Sequence, residues 1–226
     1  MSIELVVFDI AGTTVLDKGN INEAFRSAFL TAGINVEVAD VDKVMGYKKI
    51  EAVKIIIQQY APEMAADERI ISDIHDVFVS NMISFYENDT ELQALPFAVS
   101  VFQALQEKGI KVALNTGFTR SITAPILRRL GWDKSALIDA TICSDEVKEG
   151  RPYPYMIQSL MQQLNIENVN AVAKVGDTEI DIKEGRNAGC SLVVAVTTGA
   201  YTKEELLKYH PDFIIDSLRE LLPLIG

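Results

Sequence analysis

Cysteine and histidine are scarce in this chain of 226 residues, with two of each. Cys143 and Cys190 are too few for a disulfide framework, and no CxxC pair or Cys/His cluster suggests zinc. His75 and His210 are likewise too few for a histidine-built metal site. No apolar run approaches the ~20 residues that a membrane-spanning helix needs. The opening MSIELVVFDI carries acidic residues where a secretory leader carries basic ones. Neither GxGxxG nor GxxxxGK(S/T) occurs, so the common nucleotide-binding loops are missing. Basic residues are outnumbered, 21 Lys+Arg against 32 Asp+Glu, for a net charge of −11. Such a surface repels polyanions and argues against nucleic-acid binding, yet a locally cationic pocket can still take a small phosphorylated ligand. The expectation is a reduced, cytoplasmic protein with neither a nucleic-acid nor a membrane partner.

What is present is apolar and alternating. Hydrophobic residues make up 48% and charged residues 23%, enough for a packed core. Short β-branched runs at 3–8, 110–114, 140–143, 171–175 and 191–196 read as buried strands, with a short edge strand at 213–215. Helical patterns lie between them at 98–108, 121–130, 152–164, 180–188 and 202–209. Pro152 suits a first helical turn, and Gly109 and Gly189 suit helix ends. Strands alternating with helices predict an α/β fold with a doubly wound, Rossmann-like parallel sheet. From Asn20 to Asn88 no strand is evident. The segments 22–31, 40–44, 48–59 and 67–86 read as helices, and roughly 70 residues is far too long for an ordinary connection of about 2–6. The expected organisation is an α/β core at 1–16 and 90–226 with an inserted α-helical domain at 17–89.

In open α/β sheets, ligands gather at the C-terminal ends of the strands. Asp9-Ile10-Ala11-Gly12-Thr13-Thr14 follows the first strand, and Asn115-Thr116-Gly117-Phe118-Thr119-Arg120 the second. Gly150-Arg151-Pro152 follows the third, and Gly176-Asp177-Thr178-Glu179-Ile180-Asp181 the fourth. Asp9 with Asp177 or Asp181 could hold Mg²⁺, which takes one or two carboxylates and keeps several waters. Thr116 could bind a phosphate oxygen and Arg151 neutralise it. Each residue alone has an ordinary reading: turn cap, helix N-cap, Ser/Thr turn or surface arginine. All of them at successive strand tips point to phosphoryl chemistry.

Taken together, DxxGTT, the strand-end Thr, the basic residue before Pro and GDTxxD resemble the four motifs of the haloacid dehalogenase superfamily. The helical insertion is similar to the superfamily's cap domain. The match is closer to the phosphonoacetaldehyde hydrolases, or phosphonatases, which have DxAGTT, TGYTR, GRPYP and VGDTxxDxxEGRNAG. This chain reads DIAGTT from Asp9, TGFTR from Thr116, GRPYP from Gly150 and VGDTEIDIKEGRNAG from Val175.

The resemblance implies Asp9 as a nucleophile that forms an aspartyl-phosphate. It implies Mg²⁺ held by Asp9, the Ala11 carbonyl and Asp177, with Asp181 in support. Phosphoryl binding would fall to Gly12, Thr13, Thr116, Gly117 and Arg151. The run Met45-Gly46-Tyr47-Lys48-Lys49 is similar to the cap's MGxxK loop, which makes Met45, Gly46 and Lys48 substrate-side residues and Lys49 the Schiff-base lysine. A cap-mediated homodimer is a further implication, with the helix at 67–86 as its candidate face.

Two positions carry mechanistic weight. Most relatives place an acid two residues after the nucleophile, where this chain has Ala11, so an alkoxide leaving group finds no proton there. An iminium on Lys49 would instead act as an electron sink and release a neutral enamine. Lys48 and burial are expected to lower the pKa of Lys49. Phosphonatases carry a proton-transferring histidine three residues after the lysine; here Ala52 stands in that place, with Glu51 or water as possible substitutes. The favoured reading is C–P cleavage in a small aldehyde phosphonate. The alternative is a phosphomonoesterase that uses Thr13 or water.

Overall fold

A computed structural model describes residues 2–225. Six strands, β1 (Leu5–Asp9), β2 (Lys111–Thr116), β3 (Ala140–Cys143), β4 (Val172–Gly176), β5 (Leu192–Val196) and β6 (Phe213–Ile215), form one sheet. All pairings are parallel, in the order β3-β2-β1-β4-β5-β6. The chain runs outward through β2 and β3, then returns to the other side of β1 as β4. That reversal opens a crevice at the C-terminal ends of β1 and β4. The register sets Asp9 beside Asn115 and Phe8 beside Val175.

The central strands are apolar on both faces because helices cover both. Val6 and Phe8 belong to one apolar cluster, while Leu5 and Val7 belong to the other. Four helices, α1 (Asn20–Thr31), α2 (Val38–Asp42), α3 (Lys49–Tyr60) and α4 (Glu68–Asn88), follow β1 before the next strand. The remaining helices are α5 (Ala98–Glu107), α6 (Arg120–Arg129), α7 (Tyr155–Gln163), α8 (Glu179–Ala188), α9 (Lys203–Leu207) and α10 (Leu222–Ile225). Phe8 meets Phe102 of α5 edge to face at 5.2 Å. On the opposite face, Leu5 and Val7 share a cluster with Met156, Ile157 and Leu160 of α7.

The helical segment after β1 forms as the apolar spacing predicts. Ile71, Ile74, Phe78, Met82 and Tyr86 recur at three- and four-residue intervals along α4, and all are buried. Asp67 caps the helix by accepting from the Arg69 amide at 3.0 Å. α4 packs on α1, α3 and α6 of the same chain, which cover this face. Tyr86 meets Phe118 edge to face at 6.1 Å, and Arg129 Nη1 donates to the Tyr86 carbonyl at 3.0 Å. The helical segment is therefore tied to the sheet next to the strand ends.

Three local expectations differ from what is observed. Helix α7 begins at Tyr155, and Pro152 lies in a turn where the Tyr153 amide donates to the Gly150 carbonyl at 3.1 Å. The Arg151–Pro152 peptide is cis. Helix α9 is shorter than the pattern suggested, because only Leu206 reaches the core from it. The C-terminal turn and α10, where Leu218, Leu221 and Ile225 are buried, were not anticipated. Gly109 and Gly189 do follow helix ends with left-handed backbone, φ +75° and +86°. Among the described residues no helix is long and apolar enough to cross a membrane.

Candidate active site

A cavity of about 210 Å³ sits at the crevice over β1, β2 and β4. Its volume suits a small molecule. Asp9, Ala11 and Gly12 line it from β1, Thr116 and Gly117 from β2, and Asp177 from β4. Met45 and Gly46 close it from the loop between α2 and α3, and Lys49 from the first turn of α3. Glycine is required at both contacts of this lid. A Cβ on Gly117 would lie 2.5 Å from the Tyr47 carbonyl oxygen, and one on Gly46 would lie 2.6 Å from Ile180. Tyr47 adds a hydroxyl that donates to Glu179 at 3.0 Å, and the Tyr201 hydroxyl donates to the Lys43 carbonyl at 3.2 Å.

Around Asp9 lies a buried ionic cluster. Arg151 Nη1 donates to Asp9 Oδ1 at 2.7 Å, and Nη2 donates to the Asn115 side chain at 2.6 Å. Arg151 also lies 3.1 Å from both Asp181 and Glu184. Lys174, in the middle of β4 and wholly buried, donates to Asn115 Oδ1 at 2.6 Å and stands 2.9 Å from Asp181 and 3.3 Å from Glu184. The turn after β1 supports the same cluster. Thr13 donates to Asp177 Oδ1 at 3.0 Å, and the Ala200 amide donates to Asp177 Oδ2 at 2.8 Å.

The placement refines several expectations. Thr13 is fully buried, and its hydroxyl is committed to Asp177 rather than turned to the cavity. Arg151 stands behind Asp9 rather than in the cavity lining. Asp181 turns to Thr178, Lys174 and Arg151 and supports the site without lining the cavity. Lys48 does not line the cavity either; its Cβ abuts Gly150. Thr116 uses its hydroxyl to accept from the Phe118 amide at 3.1 Å, and still lines the cavity.

Burial dominates the electrostatics. It pushes the Asp9 carboxyl up to about 6, against the pull of Arg151 and with a further push from Asp181. Asp177 is raised well above the usual carboxylate range by burial, then by Asp9 and Asp181. Burial also acts on Asp181, but Arg151 and Lys174 outweigh it and hold that carboxyl low. Lys49 falls to about 8 through burial; Asp9 resists this and Arg151 reinforces it. Arg151, rather than Lys48, is therefore the cation that helps lower Lys49.

Four carboxylates, Asp9, Asp177, Asp181 and Glu184, face two cations, Arg151 and Lys174. With all four ionised, two negative charges are left over in a buried setting. Among the described residues no three His, Cys, Asp or Glu side chains are gathered as a metal cluster. Magnesium does not require one, because one or two carboxylates and water suffice. Asp9 and Asp177, both at the cavity, fit a divalent cation that would cancel the excess charge.

Sequence reasoning missed Asn115, Lys174 and Glu184 as members of this cluster, and the loop after β5. Lysine in an otherwise apolar strand was the available signal for Lys174. In the loop, Gly199 lies so close to Asp177 that a Cβ would fall 1.9 Å from its Oδ2, and Thr198 donates to the Gly12 carbonyl at 2.7 Å.

A parallel sheet with an aspartate at the tip of β1, a second aspartate after β4 and a helical lid defines a hydrolase of the haloacid dehalogenase type. The model of the haloacid dehalogenase-like hydrolases matches residues 3–189. A phosphonoacetaldehyde hydrolase of Bacillus cereus (strain G9842) is 33% identical over 199 residues, covering 84% of this chain and 74% of that protein. One from Latilactobacillus sakei is 30% identical over 95% of this chain and 81% of its own length. The crystal structure of a phosphonoacetaldehyde hydrolase-like protein from Oleispira antarctica superposes with a TM-score of 0.86 at 26% identity, over 100% of this chain and 92% of that one. The chain belongs to the haloacid dehalogenase-like hydrolases and, within them, to the phosphonoacetaldehyde hydrolase-like group.

Proposed function

We propose that this enzyme cleaves the C–P bond of phosphonoacetaldehyde or a closely related small phosphonate, with Asp9 as nucleophile and Lys49 as the imine-forming amine. The observation that carries the reading is Lys49 itself. It is 4% exposed and lines the same cavity as Asp9. It makes no ion pair among the described residues, and its Nζ stands 5.6 Å from the centre of the Phe118 ring. Burying an amine without an ion-pair partner costs stability, and a desolvated lysine is the kind of amine that forms an imine with a carbonyl substrate.

The neutral Lys49 amine attacks the aldehyde carbon, and loss of water leaves an iminium. Asp9 then attacks phosphorus. The C–P electron pair moves toward the iminium, which gives a neutral enamine and an aspartyl-phosphate. No acid is needed beside the nucleophile, which accounts for Ala11. Protonation of the enamine and hydrolysis of the resulting iminium free the aldehyde product, and water cleaves the aspartyl-phosphate. Gly12, Thr116 and Gly117 surround the phosphoryl oxygens, while Arg151 orients Asp9 from behind. Mg²⁺ would be held by Asp9, the Ala11 carbonyl and Asp177, with Asp181 in support, and when bound it supplies positive charge to the transferring group. Closure of the 45–49 loop excludes water from the reactive imine.

Borohydride added with phosphonoacetaldehyde should attach the substrate carbon to Lys49, read by peptide mass. A folded, Mg²⁺-loaded protein that gains no label overturns this reading. A second reading, a phosphomonoesterase, draws on Ala52, which is fully buried where phosphonatases carry histidine. Turnover of sugar phosphates that survives Lys49→Ala would favour it.

A further inference from the structure

Imine chemistry needs a proton donor for the departing water, and Ala52 offers none. The candidates can be taken in turn. Glu51 is exposed and stands 3.6 Å from Lys54, outside the cavity lining. His75 sits beside Asp76 on α4 and does not line the cavity. Asp9 and Asp177 are committed to the phosphoryl end. That leaves two carboxylates in the cavity wall, Asp17 and Asp42. Asp42 accepts from the Asn22 side-chain amide at 2.6 Å and is not among the main charges that act on Lys49.

Asp17 differs in each respect. It lies in the loop between β1 and α1 and lines the cavity together with Lys49. Its Oδ1 accepts from the Gly19 and Asn20 amides, both at 3.1 Å, which fixes the carboxyl group before the first turn of α1. Its charge acts on Lys49, after those of Asp9 and Arg151, and Lys49 acts weakly on it in return. Yet no ion pair joins the two groups, and both face the same cavity.

We infer that Asp17 is the proton-transfer residue of the Lys49 imine cycle, in the role for which Ala52 has no group. This rests on the imine reading above. On the way in, the Asp17 carboxyl gives its proton to the carbinolamine hydroxyl. The C–O bond breaks, water leaves, and the nitrogen lone pair closes the C=N bond. On the way out, water adds to the product iminium and its released proton returns to the Asp17 carboxylate. Burial supports this assignment, since it raises the Asp17 carboxyl above its ordinary value in spite of the amide hydrogen bonds and Lys49. A raised carboxyl keeps a protonated fraction closer to neutral pH.

The test is the rate of cyanoborohydride trapping on Lys49 with phosphonoacetaldehyde, compared between the parent enzyme and Asp17→Asn. Asparagine keeps a capping oxygen but carries no transferable proton. The expected result is a parent that is labelled and a variant labelled about 100-fold more slowly, the low end of general acid–base effects. Inhibition by orthovanadate and the melting temperature should be unchanged. Asp17→Gly, which tolerates the cap position, should be partly rescued by formate in a concentration-dependent way, an outcome that a merely structural role does not produce. A variant labelled at the parent rate, or absence of formate rescue in a folded Asp17→Gly protein, overturns the role of Asp17 alone. A parent that is never labelled overturns the imine reading, and this inference with it.

Discussion

Arg151 Nη1 donates to the Asp9 carboxylate at 2.7 Å, with side chains 0% and 7% exposed. The arginine reaches from the loop after β3, and the aspartate sits at the tip of β1. One guanidinium thus fixes the nucleophile while also binding Asn115 and pairing with Asp181 and Glu184. Removing it leaves Asp9 with no ion-pair partner among the described residues, and leaves Asp181 and Glu184 to share Lys174 alone. Arg151→Met should lower stability by about 3–5 kcal/mol, read by urea denaturation. Arg151→Lys should recover only part, because an ammonium cannot present the same planar fork to Asp9, Asn115 and Glu184 at once.

Metal dependence of stability should vary with pH in a defined direction. The Asp9 carboxyl lies at about 6 in the folded protein without metal, raised first by burial. Its unfolded value is about 3.9. Between these values the folded state binds more protons than the unfolded state, so stability falls as pH rises through the window. Above it the cost is about 3 kcal/mol from this group. Asp177 acts in the same direction. A divalent cation relieves the charge once the carboxylates ionise. The rise in melting temperature caused by Mg²⁺ should therefore be small at pH 5 and grow toward pH 7, and Asp9→Asn should flatten it. An equal shift at both pH values would contradict the assignment.

Lys49 should titrate near neutrality. Burial is the main reason its value falls to about 8, and a lowered lysine is neutral above that pH. The rate at which an amine-acylating reagent modifies Lys49, followed peptide by peptide, should reach half its plateau near pH 8, while exposed lysines are still rising at pH 10. Asp17 favours the charged form, so Asp17→Asn should move this midpoint lower.

The lid contact depends on a missing side chain. A Cβ at Gly117 would lie 2.5 Å from the Tyr47 carbonyl oxygen and 2.6 Å from that of Gly46, both backbone atoms that cannot swing aside. Gly117→Ala should hold the 45–49 loop off the strand ends. Turnover should fall by at least ~10-fold while the core stays folded. Hydrogen exchange of amides 45–49 should quicken.

The strands were legible because each is a short apolar run that needs cover on both faces, and the helices of the 20–88 segment because their apolar residues recur on one side. Asp9, Thr116 and Asp177 were legible because each follows such a run. The start of α7 was not, because the rule for Pro152 is local, whereas Arg151 is drawn toward Asp9 by contacts 142 residues away in sequence. Glu184 looks like any polar residue of a helix until the sheet brings β2 and β4 to either side of β1. Nothing in the sequence around Asp17 singles it out; only the packing of α3 over the strand ends sets it in the same cavity as Lys49.

Lys174 gives the sharpest test of that hidden cluster. It is 0% exposed and its Nζ meets Asn115, Asp181 and Glu184 within 3.3 Å. Its charge is matched by two carboxylates, so Lys174→Met strands an anion in the core rather than simply deleting a contact. The expected loss is about 3–5 kcal/mol in urea denaturation. Glu184→Gln in the same chain removes one of the stranded charges while keeping a partner for Asn115. The double variant should therefore be more stable than Lys174→Met alone, with a coupling of about 1–3 kcal/mol. Additive losses would mean that the two side chains contribute by packing alone, and that Arg151 is held in place by Asn115 and Asp181 without them.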